Sequence, residues 1–461
     1  MRKLVIPSII TLIVIAWIST IYTEIKTPNE YREYVKKADS LAERGLYINA
    51  LEQYKKAKNI KENYEVELKL LNTYENLNQE SEYIQSLKTL ISKYPKEAKL
   101  YIKLILKYVE EEDYKQLVPF LEKAKTQFPD NEEIKNIYQE IEKKYKINET
   151  AYSEITYFKN EQIEAVRDNV ILNNDVYENL NFDDENQETK ILYGMVSQLI
   201  DSNNKYIIND YFKKIRPSED GNSFWVQDLK GRWYGIDTDL YEIANNAQQN
   251  FEEISVLPME GISTAIIKGK YRFIDQDMKV AENEWDMAGV FSEGLNAVKK
   301  GKKWAVVTMD NWNSVKEYPY DDVALNLYGN CSTAGRIVVK KDGYYKILNE
   351  KGEEVSDKKY QLLKAFLSNE PTVYESEGKH GFVNTNGEIC IKAQYEDALP
   401  FTNGYAAVKV KGLWGYINSD NEMIIEPQFQ EALPVMSNGT AFIKDEFGYW
   451  NQIIMYILQY K

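Results

Sequence analysis

The sequence is poor in the side chains from which most enzymes build a reactive site. Its 461 residues include one histidine, His380, and two cysteines, Cys331 and Cys390. A single imidazole excludes paired-histidine metal sites, and no HExxH, GxSxG, P-loop or Cys/His zinc spacing occurs. Two cysteines without a CxxC pair cannot build a disulfide framework. Cys390, inside the apolar run Ile389-Cys390-Ile391, reads as a core thiol, and Cys331 falls in a different stretch and register. Positive charge is also in deficit, with 57 basic against 72 acidic residues and a net charge of -15. The deficit is local. Residues 31–148 hold 22 basic and 21 acidic residues, whereas residues 149–461 hold 32 and 49, a balance of -17. A surface of that sign repels phosphate backbones and excludes nucleic acid as a partner. What is abundant is tyrosine, with 36 copies, a ring suited to half-buried sheets and repeat interfaces.

Long apolar runs are absent but for one, Leu4 to Tyr22, which carries no charge. At 1.5 Å per residue it approaches the thickness of a hydrocarbon layer. Its length and the poor cleavage context at Ile18-Ser19-Thr20 favour an uncleaved anchor over a signal peptide. The expectation is a single-pass membrane protein: residues 1–3 a cytoplasmic tip, 4–22 a transmembrane helix in the lipid bilayer, 23–30 a linker, and the bulk of the chain extracytoplasmic. Arg2 and Lys3 support that orientation, while Lys26, Arg32, Lys36 and Lys37 oppose it.

Residues 31–148 show no alternating pattern and only two prolines, Pro95 and Pro129, 34 residues apart. Counting back from each gives matching positions: Tyr83, Leu87 and Leu90 before Pro95; Tyr101, Ile105, Tyr108, Leu117, Leu121 and Ala124 before Pro129. An earlier unit supplies Gly45, Tyr47, Ala50, Tyr54 and Ala57, and Ala50, Tyr83 and Leu117 share one repeat position. This pattern resembles about three tetratricopeptide repeats with a closing helix from Asn131 to Lys146. The resemblance implies an all-α solenoid whose concave face binds peptides or helices; a plain spacer is the competing reading.

Past residue 150 the pattern becomes short alternating runs broken by Asn, Asp and Gly. The best-kept unit runs from Phe401 to Pro434, with strands expected over 405–410, 414–418 and 423–429, a three-stranded meander. With Trp414 as anchor, the unit recurs at Ser197, Trp233, Tyr271, Trp304, Tyr345, His380 and Phe447, at spacings of 33 to 41 residues. Three residues past each anchor the residue is always apolar, and four past it stand Asp201, Asp237, Asp275, Thr308, Asn349, Asn384, Asn418 and Asn451. Asp and Asn there bond their own backbone and start a turn, and Asn386-Gly387 adds a positive-φ position. Glycine stands ten residues before the anchor in four units, at 261, 294, 335 and 404. The segments KGLWGYINSDNEMIIEPQF and KHGFVNTNGEICIKAQY resemble the WG repeat of bacterial envelope proteins. That resemblance implies an all-β repeat array over 149–461, an open stack or propeller-like, often joined to membrane helices and tetratricopeptide repeats, with no catalytic residues to transfer.

No side chain stands out as a catalyst or metal ligand, and no cofactor is expected. His380 occupies an anchor position and reads as a packed ring. Asp183-Asp184-Glu185 lacks the spacing of a calcium loop and reads as solvated. The functional expectation is a membrane-anchored, non-enzymatic scaffold that engages protein partners through its repeat arrays, with no binding residue singled out. A surface protein binding cell-wall polymer through exposed Tyr and Trp rings is the alternative, and a glycosidase built on paired carboxylates ranks third.

Overall fold

The computed structural model describes residues 28–171 and 193–461, and the chain forms two compact units, Met1–Gln139 and Glu140–Lys461.

The first unit is helical: α1 (28–43), α2 (Tyr47–Ile60), α3 (Tyr64–Asn76), α4 (Glu80–Lys93), α5 (Ala98–Glu110), α6 (Tyr114–Gln127) and α7 (Glu132–Glu142). Asn63 and Asp113 cap α3 and α6 by accepting from the backbone N–H groups of Glu65 and Gln116. The 3.6-residue period sets the core, with Leu100, Tyr101, Leu104, Ile105 and Tyr108 buried along α5. A buried acid on α3 is held by two lysines. Glu67 on α3 accepts from Lys93 at 2.8 Å and pairs with Lys58 at 3.3 Å. Burial alone would raise its carboxyl, but the bonds from Lys93 and Lys58 outweigh burial and hold it below the usual range.

The second unit begins with strand β1 (Tyr145–Tyr152), which runs through the expected boundary at 148/149. Its described residues form eight antiparallel sheets, read here as blades in chain order. Blade 1 is β2 (Glu154–Tyr157), β3 (Ile163–Ile171), β4 (Tyr193–Ile200) and β5 (Tyr206–Phe212); blade 2 is β6 (Lys214–Pro217) to β9 (Glu242–Asn245). Blade 3 is β10 (Glu253–Ile254) to β12 (Lys270–Ile274), blade 4 is β13 (Met287–Ala288) to β15 (Lys303–Thr308), and blade 5 is β16 (Asp322–Val323) to β19 (Tyr344–Asn349). Blade 6 is β20 (Thr372–Ser376) to β22 (Ile389–Tyr395), and blade 7 is β23 (Asp397–Ala398), β24 (Tyr405–Val410), β25 (Leu413–Asn418) and β26 (Met423–Phe429). Blade 8 joins the two ends of the unit: β27 (Glu431–Ala432), β28 (Thr440–Lys444), β29 (Trp450–Met455), and then β1 as its fourth strand. A four-residue helix, α8 (Tyr456–Gln459), follows.

Each blade buries its apolar faces only against its neighbours. Phe212 and Leu199 of blade 1 pack on Phe224 and Val226 of blade 2, Trp304 of blade 4 on Ile337 and Val339 of blade 5, and Phe382 of blade 6 on Phe401 and Ala406 of blade 7. The series closes on itself, because Phe442 and Trp450 of blade 8 share a cluster with Tyr157, Ile163 and Ile200 of blade 1. With no free end, each sheet has two partners, and the edge problem of an open array disappears. The unit is an eight-bladed β-propeller closed by its own first strand.

Several expectations are corrected. The open stack is replaced by this closed ring, and the meander of three strands gains a short inner strand in most blades. The expected membrane span is also corrected: among the described residues no helix is long and apolar enough to cross a membrane. Residues 4–22, on which that expectation rests, lie outside the described residues, so the single-pass placement and the lipid contact are not carried forward. Residues 183–185 lie outside them too. Cys390 is exposed rather than a core thiol, because the strand alternation places it on the outer face, whereas Cys331 is buried and its thiol is pushed up to about 12 by burial.

Candidate functional site

The repeat positions take distinct jobs in the blade. Asp201, Asp237, Asp275, Asn349, Asn384 and Asn418 each accept, through Oδ1, the backbone N–H groups two and four residues on, which fixes the outer hairpin turn. Thr308 departs from this, its N–H donating to Asn311 instead. The anchor rings are inside: Trp233, Trp304 and Trp414 are 2%, 4% and 8% exposed. His380 is half-buried, with Nδ1 3.0 Å from the carbonyl oxygen of Glu396. Phe447 is not the anchor of blade 8. It sits on the hairpin tip, 78% exposed, and Trp450 takes the anchor position, facing Lys444 as Trp414 faces Lys409.

That facing pair recurs. The ammonium groups of Lys299, Lys340, Lys409 and Lys444 lie 5.5, 5.2, 5.9 and 5.4 Å from the ring centres of Trp304, Tyr345, Trp414 and Trp450, one cross-strand pair per blade. An acid just before the inner strand completes the unit by accepting the N–H of the hairpin glycine: Glu396 from Gly412 at 2.8 Å and Asp286 from Gly301 at 2.6 Å. The Gly412 N–H holds the Glu396 carboxyl below its usual range, and Lys270 does the same for Asp286.

These devices position the inner strands around an axis. Strand alternation buries Ala398 between blades and turns Leu399 inward, and Ala432 and Leu433 repeat the arrangement. A pocket of about 610 Å³ results, lined from blades 5 to 8 by Leu325, Leu399, Pro400, Leu433 and Pro434, with Trp414 and Trp450 at its margin. On the side of blades 1 to 5 the axis is narrower, with a cavity of about 140 Å³. There Lys159 of blade 1 donates across the axis to Ser292 of blade 4 at 3.3 Å and pairs with Glu219 at 2.6 Å. Tyr328 packs into the cluster between blades 8 and 1, and its hydroxyl is pushed up to about 12 by burial and by Glu161. Arg216 ties three blades together, 2.5 Å from the buried Glu164 and 3.2 Å from Glu253.

The wide half of the axis is thus an apolar recess with backbone and leucine side chains around it. Among the described residues no group of three or more His, Cys, Asp or Glu could hold a metal ion. The sequence singled out no binding residue, and Leu325, Leu399 and Leu433 were missed because no strand was expected where they stand. The signal was present in the repeated Ala-Leu-Pro at 398–400 and 432–434.

Comparison with known proteins agrees with the repeat reading. The WG containing repeat model matches residues 271–304, 381–414 and 414–450, with boundaries at Tyr271, Trp304, Trp414 and Trp450. No curated protein matches the chain. Among solved structures it is similar to the β-propeller domain of Myceliophteria thermophila Cps50 (Swd1), at 10% identity and a TM-score of 0.30 over 52% of this chain and 96% of that one. It is also similar to Kluyvelomyces marxianus Hsv2, at 8% identity and 0.36 over 65% and 95%, and to the C-terminal WD40 domain of Sif2, at 7% and 0.35 over 64% and 90%. The chain carries WG-containing repeats.

Proposed function

We propose that this protein is a non-enzymatic interaction scaffold whose propeller docks a protein partner at the wide half of its axis. The observation that carries the reading is the apolar pocket of about 610 Å³ lined by Leu325, Leu399 and Leu433. Leucines held half-buried just past the short inner strands are pre-organised by the blades, so a partner's apolar side chain can enter with little ordering cost on this side. The helical region supplies a second surface, which we read as a tetratricopeptide-like array over 31–148. Stacking of cell-wall polymer on the propeller's Trp225, Trp233, Trp285, Trp304, Trp414 and Trp450 is not retained, because all six are buried. The test is photo-crosslinking in the native host, with a photoreactive amino acid at Leu325 of the full chain. A discrete protein adduct that disappears when Leu399→Glu and Leu433→Glu are added supports the proposal. An adduct unchanged by those substitutions, or no protein adduct at all, rejects it.

A further inference from the structure

A groove of about 730 Å³ lies open in the helical unit between α4 and α6. Its floor is α5, where Tyr101, Leu104 and Tyr108 are buried within the unit yet line the groove. One wall carries Ile91 and the other Pro119 and Phe120. Phe120 is held there by stacking on Tyr101, with ring centres 5.4 Å apart at 14°, and by an edge contact with Tyr108 at 6.2 Å. The surface is therefore apolar, aromatic and fixed.

Its rim has one sign of charge. Lys88 from α4 and Lys115 and Lys123 from α6 line the groove, all three exposed, and Lys88 stands 5.7 Å from the ring centre of Tyr108. No carboxylate lines it among the described residues, and none of the three lysines forms an ion pair with a described carboxylate. Other lysines of the same unit differ: Lys93 is paired with Glu62 and Glu67, and Lys107 with Glu80 and Glu110. Three lysines without a described ion-pair partner thus stand together round this groove, with no carboxylate among the residues that line it. Lys115 and Lys123 are eight residues apart, roughly 12 Å along the helix at 1.5 Å per residue, a length that about four extended residues span.

We infer that this groove docks an acidic protein segment, seating an apolar side chain on Pro119 and Phe120, above the buried Tyr101, Leu104 and Tyr108, and its carboxylates on Lys88, Lys115 and Lys123. The combination selects the partner. A polyanion without apolar groups would leave Pro119 and Phe120 uncovered, and a neutral apolar segment would leave three cations without counter-charges. The inference rests on the scaffold reading and deepens it by giving the helical region its own ligand chemistry, separate from the axial pocket.

The experiment selects a random twelve-residue display library on the full-length protein and measures the enriched peptides by fluorescence anisotropy. Enriched peptides should combine an excess of Asp and Glu with a bulky apolar residue. Their affinity should fall at least tenfold in the Lys88→Glu, Lys115→Glu, Lys123→Glu variant, and by a similar factor between 50 and 300 mM salt. Circular dichroism checks that the variant is folded, and the single substitution Lys115→Glu, with a partial loss, serves if the triple variant is not. Peptides without acidic excess, affinities indifferent to charge reversal, or no enrichment overturn the inference. Binding that instead depends on Leu399 and Leu433 overturns it while leaving the scaffold reading intact. Self-association abolished by the triple variant, without peptide binding, assigns the groove to a second copy and likewise overturns it.

Discussion

The glycine after the anchor can be tested at Gly415. A Cβ at this position would lie 2.3 Å from the carbonyl oxygen of Ile425, 2.8 Å from the nitrogen of Pro427 and 3.0 Å from the carbonyl carbon of Glu426. All three are backbone atoms, so no side chain can rotate away. The bulge in β26 brings them there, because Trp414 faces Phe429 while Tyr416 faces Ile425, and the intervening residues arch over the glycine. Gly415→Ala must therefore push β26 outward or break its pairing. Overpacking a rigid site costs about 1–3 kcal/mol, and the disturbed ladder places this change at the upper end, about 3 kcal/mol. Urea unfolding followed by tryptophan fluorescence reads the loss, and amide exchange should show it concentrated in residues 423–429. Gly381→Ala should behave alike, its Cβ falling 2.5 Å from the carbonyl oxygen of Ile391. Gly404→Ala is the comparison: nothing lies within 4 Å, but φ is +83°, so only conformational strain of about 1–2 kcal/mol is expected. A Gly415→Ala protein within about 0.5 kcal/mol of the parent, with β26 still protected, would refute the steric account.

Other consequences follow from the same packing. Asn451 accepts the N–H groups of Thr150 and Ala151 at 2.9 and 3.0 Å, so Asn451→Ala should cost about 2–4 kcal/mol and speed amide exchange across 145–152; unchanged exchange there contradicts it. Trp225 donates to Ser263 at 2.9 Å while the buried indole N–H of Trp233 has no acceptor, so Trp225→Phe should destabilise more than Trp233→Phe in matched urea titrations. Arg216→Met leaves Glu164 buried without its cation and should cost about 3–5 kcal/mol in the same titrations; a neutral result would mean the pair is not desolvated. The Glu67, Asp286, Asp321 and Glu396 carboxyls are all held below their usual range. Their contribution is complete above the ordinary carboxylate range, about pH 4, and is lost as pH falls through the lower folded values; a urea midpoint that stays constant from pH 6 to pH 3 would oppose this.

The repeat was legible because it is built from short-range rules. Ring anchors at regular spacing, an apolar residue three positions on and a turn-forming Asp or Asn after it mark each blade, and the strands expected over 405–410, 414–418 and 423–429 are β24, most of β25 and β26. The inner strands were not legible. At two residues each, Asp397–Ala398 and Glu431–Ala432 are too short for an alternation to show, and their meaning comes from packing around an axis. Blade 8 was misplaced by three residues because Phe447-Gly448 mimics the repeat's glycine pair, whereas Trp450 makes the cross-strand contact with Lys444. Closure was hidden for a different reason. The run from Tyr449 lacks the usual turn and proline bend because its next strand is β1, some 300 residues earlier, and Asn451 bonds that strand instead of turning its own. The axial leucines share the fate of the inner strands: the repeated Ala-Leu-Pro marks two of their positions, but nothing local shows that four blades assemble them into one site.

The central claim is that the β region is a ring closed by its first strand, and one disulfide tests it. Asn148 and Gln452 face each other across β1 and β29, with Nδ2 of Asn148 donating to Oε1 of Gln452 at 2.7 Å. In a Cys390→Ser background, Asn148→Cys with Gln452→Cys should form an intramolecular disulfide on mild oxidation, found by mass spectrometry as a linked peptide pair from monomeric protein. An open stack holds these residues at opposite ends of the array. Monomer with both new thiols still free after oxidation, or a link found only between two chains, would contradict the closed propeller.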